Sequence, residues 1–529
     1  MKKTVVALLT LAMAFSLVAC GGNSNSPTSG DTASVPGSGT KDVTADGYKR
    51  EIIIAMADEF TEPDPMETTA ETNQIVQDCT SDLLTDTNLA TMKNEGELVD
   101  HWEMKDPTHW SFTLKDGIKF HDGTILDTDD VEFTLMERAP KHTATQAYAE
   151  KIKTFTKVDN LTFEVELEKD DVDFNYTFAA NSLAILSKEA FESMPEDEAV
   201  KIGTGPWKYE EIVPGDHVTL VRFDDCTLYP VPHTEKLTFR MIPEASARMI
   251  ALENGEVDVI MSPAATDYSR LADEEDLELV TEVGRGQHFV GFNLMNEDSI
   301  VSDPKFRLAV AYAIDKEEMI AAAWDGYAQA STNWHCRDVE YYSEINGIPY
   351  DPDKAKTLFD ELGVNGLQIK LVTSDASHRQ KMATNLQSQL SKYGITVNIE
   401  TMQNSALTEL NTSDGRTSGV EMTITSWTPG KNADYMYRNP IYSTGGRNYC
   451  HINDAELDAW IDEGAGEVDS AKRQEIYTKI DKKLVEETVA MVPIAQATLT
   501  LGTRAGVTGC KLHPGLVHQF KEAELKVEG

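Results

Sequence analysis

Apolar and polar residues alternate along the chain with two different periods, and the change from one period to the other predicts strands and helices in turn. The clearest example covers residues 367–399. Every second residue is apolar at 367–371, every fourth at 382–390, and every second again at 395–399. A strand, a helix and a second strand in this order form a βαβ crossover, whose strands run parallel. Similar changes of period elsewhere predict an α/β fold.

Several predicted helices in the second half of the chain also have recognisable ends. Asp303 and Asp351 each precede a proline, so each is predicted to cap a helix that begins with that proline. Asp315, with a glutamate three residues later, is a capping-box pattern for another helix. Gly363 is expected to end the helix that follows Asp351, because glycine readily adopts the left-handed conformation of this position.

The segment 110–120 predicts a β-hairpin. Apolar residues alternate with polar ones at 110, 112 and 114, and apolar residues at 118 and 120 continue the pattern. Asp116-Gly117 between them is a typical two-residue hairpin turn. The hairpin is therefore expected to pair the two halves of this segment with each other.

The N-terminus has the pattern of a bacterial secretory signal. Two lysines precede an apolar stretch that is too short for a stable membrane span, and small residues precede Cys20. This ending resembles the bacterial lipobox, which predicts that residues 1–19 are a signal peptide and that Cys20 is acylated. Residues 20–46 are then the lipidated cysteine and a flexible linker, rich in Gly, Ser, Thr and Pro and too polar to fold on its own.

Length and charge narrow the class of protein. The body of this 529-residue chain is too long for a single core, so at least two lobes are expected. The apolar content of 40% is ordinary for a soluble globular protein, and no second apolar run is long enough to span a membrane. The formal net charge of −42 would repel nucleic acid and anionic lipid. We therefore expect no nucleic-acid partner, and membrane attachment through the lipid alone.

Signatures of catalysis and of metal binding are missing from the sequence, which favours a binding protein over an enzyme. Phosphate-binding loops, zinc-protease motifs and nucleophile elbows do not occur. Gly203–Pro206 is glycine-rich but precedes no helix pattern, so it is predicted as a structural turn. His121 is likewise predicted as a turn residue rather than a base. No metal ion and no cofactor are expected.

The cysteines other than Cys20 are widely scattered and lack metal-binding spacing. At most two disulfides can form among them, and the sequence leaves the pairing open. These residues are Cys79, Cys226, Cys336, Cys450 and Cys510.

A series of motifs in a fixed order extends over nearly the whole body. They are 110–138 (WSFTLKDGIKFHDGTILDTDDVEFTLMER), 202–209 (IGTGPWKY), 248–259 (RMIALENGEVDV), 290–315 (VGFNLMNEDSIVSDPKFRLAVAYAID), 350–363 (YDPDKAKTLFDELG) and, more weakly, 453–457 (NDAEL). Together they resemble bacterial extracytoplasmic solute-binding protein family 5, the receptors of oligopeptide, dipeptide and nickel ABC importers. The resemblance implies an α/β clamp of the periplasmic-binding-protein type II (venus-flytrap) kind, with an enlarged first lobe and closure about a hinge.

The resemblance also implies domain limits and partners. Lobe I is expected at residues 47–285, with an inserted subdomain at about 75–198. Lobe II is expected at 286–490, and the chain returns to lobe I at 491–529. The protein is expected to be a monomer at the extracytoplasmic face of the bacterial cell membrane, where it works with the permease and ATPase subunits of an ABC importer.

Two loops are the first candidates for ligand contact, because ligands of open α/β sheets bind beyond the carboxyl ends of the strands. One contains Ser374 and Asp375, and the other begins at Trp427, whose indole would form a rigid wall. In peptide-binding relatives an Asp a few residues after such a Trp pairs with the peptide's ammonium group, so the resemblance implies this role for Asp434. Weaker candidates are Tyr435, Arg438, Glu71, Thr72 and Asn73.

The loop at Ser374 departs from the dipeptide receptors of the family, in which an arginine clamps the peptide carboxylate. Here Arg379 comes later, at the predicted helix start, which favours longer peptides. The leading hypothesis is therefore an oligopeptide receptor. A receptor for a nickel chelate, an opine, a glycan or another small solute, and a peptide-sensing receptor, are open alternatives. A hydrolase is disfavoured because no nucleophile–base arrangement emerges.

Overall fold

The computed structural model describes residues 42–527, except for residues 90, 92, 414–418 and 431. The predicted signal peptide, Cys20 and the predicted linker up to residue 41 lie outside the described residues. Among the helices of the described part, none combines the length and the apolar character that crossing a membrane requires.

Strands and helices alternate along the described chain, as the two periods predict. The strands are β1 (Glu51–Met56), β2 (Thr85–Asn88), β3 (Lys93–Gly96), β4 (Val99–Asp106), β5 (His109–Leu114), β6 (Ile152–Lys157), β7 (Thr162–Leu167), β8 (Trp207–Val213), β9 (His217–Arg222), β10 (Lys236–Met241), β11 (Val259–Met261), β12 (Leu277–Phe292), β13 (Ala328–Ala330), β14 (Gln368–Ser374), β15 (Thr396–Met402), β16 (Met422–Trp427), β17 (Met491–Arg504), β18 (Val507–Thr508) and β19 (Glu524–Leu525). The α-helices are α1 (Glu71–Thr80), α2 (Thr128–Glu132), α3 (Gln146–Ala149), α4 (Lys188–Ser193), α5 (Glu196–Ala199), α6 (Ala245–Glu253), α7 (Tyr268–Asp273), α8 (Pro304–Ala313), α9 (Lys316–Trp324), α10 (Pro352–Leu362), α11 (Ser377–Ser391), α12 (Asn404–Thr412), α13 (Ala433–Arg438), α14 (Ala455–Gly466) and α15 (Ser470–Lys482).

One large sheet organises the fold. Its strand order is β15-β14-β16-β12-β17-β11-β1-β10-β9-β8, and β13 pairs with β17 outside this path. The two longest strands, β12 and β17, run antiparallel to each other at the centre of the sheet. Their register shifts between Val283 and Gln287, and an irregularity of this kind bends paired strands. The sheet therefore has two halves that share β12 and β17.

The two halves form two lobes. The first lobe contains β1, β8–β11 and a separate four-stranded sheet, β4-β5-β7-β6, with its own apolar core. The second lobe contains β13–β16 and helices α8–α15. The predicted lobe boundary at 285/286 lies within the register shift of β12, whereas β17 pairs within the second lobe at 491–496 before it enters the first. The domain limits stay a prediction.

The predicted βαβ unit is confirmed. β14 and β15 pair in parallel and are joined by α11, and β16 pairs in parallel with the other side of β14. Leu371, Leu386 and Val397 of this unit are buried in the core of the second lobe. Because β14 and β16 are parallel, their carboxyl ends lie at the same edge of the sheet.

The predicted helix starts and the stop at Gly363 are also confirmed, but the capping box at Asp315 is only half formed, since the Asp315 N–H donates to Gln389 Oε1 at 2.9 Å instead of to Glu318. Asp303, Asp315 and Asp351 each accept a backbone N–H in the first turn of α8, α9 and α10, respectively. Gly363 ends α10 with a φ of 67°, the left-handed conformation that glycine adopts without strain. These local signals sufficed because each one satisfies backbone groups that the helix itself leaves without partners.

The hairpin predicted at 110–120 is wrong. β5 pairs with β4 and β7 instead, and Lys119 forms only an isolated bridge to Ile125. Phe112 stacks on its cross-strand neighbour Phe163, with ring centroids 5.2 Å apart, and both rings are fully buried. Cross-strand aromatic packing of this kind stabilises the pairing of β5 with β7, whereas the Asp-Gly turn alone does not pair residues 110–114 with 118–120.

The structural turn predicted at Gly203–Pro206 is confirmed. It packs against the end of α1 so closely that a Cβ at Gly205 would lie 2.6 Å from the carbonyl oxygen of Cys79. His121 closes the turn, since its Nδ1 accepts the Gly203 N–H at 3.2 Å and its Nε2 donates to the Gly205 carbonyl at 3.0 Å. Burial lowers the pKa of His121 to about 4, so the ring is a neutral structural group.

The five described cysteines are free thiols, and no disulfide joins them. Four are buried, and Cys510 is partly exposed. Burial raises the pKa of Cys450 and of Cys510 to about 12, which keeps both thiols protonated and unreactive.

Candidate functional site

A cleft of about 610 Å³ lies between the two lobes. Residues 176–182 and 513–517 contribute to its first-lobe wall, residues 428–435 to its second-lobe wall, and Arg285 lies on the shared strand β12. Sites for small molecules usually measure about 300–1,000 Å³. A second cavity, of about 580 Å³, is lined by the first lobe alone. Another cavity lined by both lobes, of about 330 Å³, lies around Asp173 and Arg473. We take the larger cleft as the candidate site, because closure of two lobes can enclose a ligand between them.

The second-lobe wall begins where β16 ends. Trp427, the last residue of β16, is buried and stacks on Tyr435, with ring centroids 5.5 Å apart and ring planes inclined by 26°. Tyr435 lines the cleft and is 45% exposed. Asn432 caps the short helix α13 by accepting the Tyr435 N–H at 3.0 Å. Tyr435 thus faces the cleft, and Trp427 supports it from behind.

Asp434 and Arg438, on the same helix, pair with each other. Arg438 Nη2 donates to Asp434 Oδ1 at 3.0 Å, and the guanidinium also binds Asp462. Burial raises the pKa of Asp434, and the Arg438 hydrogen bonds oppose that rise. Neither side chain belongs to the described lining of the cleft. A ligand ammonium would share the Asp434 carboxylate with Arg438, so the predicted role of Asp434 stays a prediction.

Ser374 and Asp375 lie at the end of β14, next to β16, as the topology predicts, but the described lining of the cleft does not include them. Ser374 is buried and its hydroxyl accepts a hydrogen bond from Arg379 Nη1 at 3.1 Å, whereas Asp375 is exposed. Arg379 Nη2 also donates to Ser426 Oγ at 2.7 Å. Arg379 therefore joins the ends of the two strands within the second lobe.

The candidates predicted in the first lobe lie in the first turn of α1. Asn73 is buried, and its Nδ2 donates to two threonine hydroxyls at 3.1 Å each, which fixes the loop before the helix. Gln74, the next residue, lines the cleft, whereas Glu71, Thr72 and Asn73 do not belong to its described lining. The predicted region is close to the site, and the residue that faces the ligand space is one position further on.

Four cleft residues of the first lobe and of β12 were not among the predicted site residues, namely Arg285, Tyr148, Lys151 and Tyr176. Arg285 offered a usable signal, because a charged residue between two glycines interrupts a strand-like stretch at Gly284-Arg285-Gly286. The other three lie in segments that carry no comparable pattern.

An ion pair and a hydrogen bond join described residues of the two lobes. Arg473 of α15 donates to both carboxylate oxygens of Asp173, with 2.6 Å between Nη1 and Oδ1, and both side chains are buried. The Arg473 guanidinium also lies 5.0 Å from the ring centroid of Tyr341, in its own lobe. Tyr176, from the cleft wall of the first lobe, donates its hydroxyl to Glu340 of the second. The present arrangement of the lobes is therefore held partly by a buried ion pair.

The described residues include no group of three or more His, Cys, Asp or Glu side chains that could hold a metal ion. The cleft instead offers amides, hydroxyls, three tyrosine rings and the cationic side chains of Lys151 and Arg285. Such groups bind and orient a ligand by hydrogen bonding and stacking.

The hinged sheet and the cleft between its lobes define a two-lobed fold of the periplasmic-binding-protein type II class. The structure is similar to that of the ABC transporter substrate-binding protein CtaP from Listeria monocytogenes, with a TM-score of 0.79. The match covers 92% of this chain and 100% of that one, at 22% sequence identity. The predicted fold class is thereby confirmed.

The particular family follows from the sequence. The model of bacterial extracellular solute-binding proteins, family 5 (middle), matches residues 93–449. The chain therefore belongs to this family, as its motifs indicate, and the proteins of this family are extracytoplasmic.

Named relatives differ in the ligand that their names state. Glutathione-binding protein GsiB of Salmonella paratyphi A is 24% identical over 90% of this chain and 95% of its own length. Oligopeptide-binding protein AppA of Bacillus subtilis is 27% identical over 71% and 73%, respectively. Heme-binding protein A of Haemophilus influenzae is 24% identical over 76% and 79%. Membership in the family alone thus leaves the ligand open.

Proposed function

We propose that this protein is the substrate-binding lipoprotein of an ABC importer, which captures peptides between its lobes and delivers them to a membrane permease and its ATPase. The observation that carries the proposal is the composition of the cleft. An exposed tyrosine ring, Tyr435, stands beside a loop at 428–430 that contributes to the wall. Backbone hydrogen bonds and an aromatic surface suit peptides of varied sequence. In this role the protein binds and releases its ligand unchanged, as a monomer.

The first test measures binding by the purified mature protein. We expect alanine peptides, from the dipeptide to the hexapeptide, to raise the melting temperature, with the larger shifts for the longer peptides. Nickel–histidine serves as the alternative ligand. A shift with nickel–histidine and none with any peptide would show that the peptide assignment is wrong.

Tyr435→Ala tests whether this cleft is the binding site. We expect a loss of peptide affinity of about 5- to 30-fold, since an aromatic contact contributes about 1–2 kcal/mol. Tyr350→Ala is the matched control, because Tyr350 lies in the same lobe, is 46% exposed, and is not part of the described cleft lining. Equal affinities of the two variants would place the peptide elsewhere.

The proposed role of Asp434 as the partner of the peptide ammonium has its own test. The wild-type protein should prefer a free peptide over its N-acetylated form, because acetylation removes the positive charge. Asp434→Asn should bind both forms equally while retaining the fold. A preference that persists in Asp434→Asn would assign the ammonium to another group.

The proposed lipid anchor is tested in cells. Expressed in a bacterium, the wild-type protein should partition into the detergent phase of a Triton X-114 extract, and Cys20→Ser should move to the aqueous phase. Detergent partitioning of Cys20→Ser would show that another feature attaches the protein to the membrane.

A further inference from the structure

The charge of the cleft differs from that of the molecule. The whole chain has a formal net charge of −42. Even so, none of the described residues that line the interlobe cleft is acidic, whereas Arg285 and Lys151 both line it. The carboxylate partners of these two cations, Asp171 and Asp338, lie outside the described lining. The cleft is therefore suited to a ligand that carries a negative charge.

Lys151 is already neutralised within the first lobe. Its Nζ donates to Asp171 Oδ2 at 2.9 Å and to Thr177 Oγ1 at 3.1 Å. Both acceptors lie in the same lobe, so Lys151 has two partners that do not depend on a ligand. The lysine contributes to the potential of the cleft but has limited capacity for a further charged partner.

Arg285 differs from Lys151, because only one of its guanidinium donors, Nε, has a partner among the described residues. Its Nε donates to Asp338 Oδ2. The terminal nitrogens Nη1 and Nη2 form no hydrogen bond to any described residue, although the side chain is only 2% exposed. Because Arg285 lines the cleft, its four remaining N–H donors are open to water or to an acceptor of a bound ligand.

The free edge of Arg285 has the geometry that carboxylates bind. Asp338 accepts from Nε, and the two terminal nitrogens form a fork that can donate in parallel to both oxygens of a carboxylate. Gly515, also in the cleft wall, leaves room beside this fork, since a Cβ there would lie 3.4 Å from Arg285 Nη1. Asp338 acts as a positioning residue that orients the guanidinium.

We propose that Arg285 forms an anion-binding subsite at the hinge of the cleft, which accepts a carboxylate group of the bound ligand. The inference rests on the proposed function only in that the cleft is the ligand site; it does not require the ligand to be a peptide. In this proposal Arg285 of β12 takes the role of the carboxylate-binding arginine that the dipeptide receptors of the family carry in the loop at Ser374.

The test compares acids with their neutral amides. The ligands are tetra-alanine and tetra-alanine amide, together with a non-peptide panel of small dicarboxylates and sugar acids and their amides. Wild-type protein is compared with Arg285→Gln/Asp338→Asn, which removes both charges and so leaves no unpaired carboxylate. Arg50→Gln/Glu235→Gln removes an exposed ion pair of the first lobe and is the matched control. Circular dichroism and thermal melting establish that each variant is folded.

We expect wild type and the control to bind the acid at least about tenfold more tightly than the amide, and the Arg285 double variant to prefer it by about twofold or less. Arg285→Lys should give an intermediate ratio, because it keeps the charge and loses the fork. Selectivity for non-peptide acids alone, abolished in the double variant, would refute the peptide assignment and support the subsite. Equal binding of acids and amides by wild type, a preference that survives in the double variant, or a wild type that binds no acid of the panel would overturn the inference.

Discussion

The buried ion pair between the lobes gives the most direct prediction about closure. Asp173 in the first lobe accepts two hydrogen bonds from Arg473 in the second, and the two side chains are 9% and 4% exposed, respectively. Asp173→Asn retains the shape of the side chain and removes its charge. We expect this substitution to favour the open arrangement, because the Arg473 guanidinium can then find solvent only when the lobes separate.

The size of the effect follows from the burial of the pair. Removing one partner of a buried ion pair costs about 3–5 kcal/mol when the other charge stays buried. The asparagine keeps one acceptor oxygen, and opening exposes Arg473 to water. We therefore expect Asp173→Asn to destabilise the closed arrangement relative to the open one by about 2–3 kcal/mol. Each 1.4 kcal/mol or so is a factor of ten, which makes the closed state about 30- to 150-fold less favourable. Part of this change appears as a smaller closed fraction of the ligand-free protein, and the rest appears as a weaker apparent affinity for the ligand.

Two measurements check this prediction. Small-angle X-ray scattering of the ligand-free protein reports the closed fraction, and calorimetric titration with a peptide that the protein binds reports the affinity. Glu166→Gln is the control, because its ion pair with Lys153 lies on the exposed surface of the first lobe, where water screens it and its loss should not affect closure. If Asp173→Asn matches this control in both measurements, the pair does not hold the lobes together.

Two further predictions concern stability. Burial raises the pKa of Asp481 to about 7, so the stability that this group contributes is present below its ordinary pKa and is lost as the pH rises to about 7. Asp481→Asn should therefore gain at least about 1 kcal/mol relative to wild type between about pH 4 and pH 8 in urea unfolding, and a difference independent of pH would contradict the assignment. Gly205→Ala should lower the free energy of unfolding by about 1–3 kcal/mol, because its Cβ would press on the Cys79 carbonyl, whereas Gly466→Ala, with no atom within 4 Å of its Cβ, should not. If Gly205→Ala leaves the free energy of unfolding unchanged, the turn can move away from α1.

The parts of the fold that the sequence predicts are those whose causes are local. The caps at Asp303 and Asp351 and the stop at Gly363 act on backbone groups a few residues away, so pattern and structure agree. The hairpin at 110–120 failed because the partner of Phe112 is Phe163, from a strand separated from it by a long intervening segment. Pairing between distant strands is decided by packing, which a local turn signal does not contain.

The candidate site shows the same division between features with local causes and features set by the whole fold. The rule that ligands bind beyond strand ends led to the region of Trp427 and hence to Tyr435, because it depends only on the direction of the strands. Choosing between Asn73 and Gln74 requires the rotation of α1 about its axis, and adjacent helical positions face directions about 100° apart. Arg285 and Tyr176 reach the cleft only because two lobes meet there, a condition set by the whole fold.

The groups that join the lobes and the groups that face the ligand have separable effects on binding. The Arg473–Asp173 pair joins the lobes outside the described cleft lining, so we expect its loss to lower the affinity for every ligand by the same factor. Tyr435 and Arg285 line the cleft, so their substitution changes the affinity for one ligand relative to another. A receptor built in this way can tune how readily it closes without altering what it selects. Ratios of affinities, rather than affinities alone, therefore identify which residues recognise the ligand.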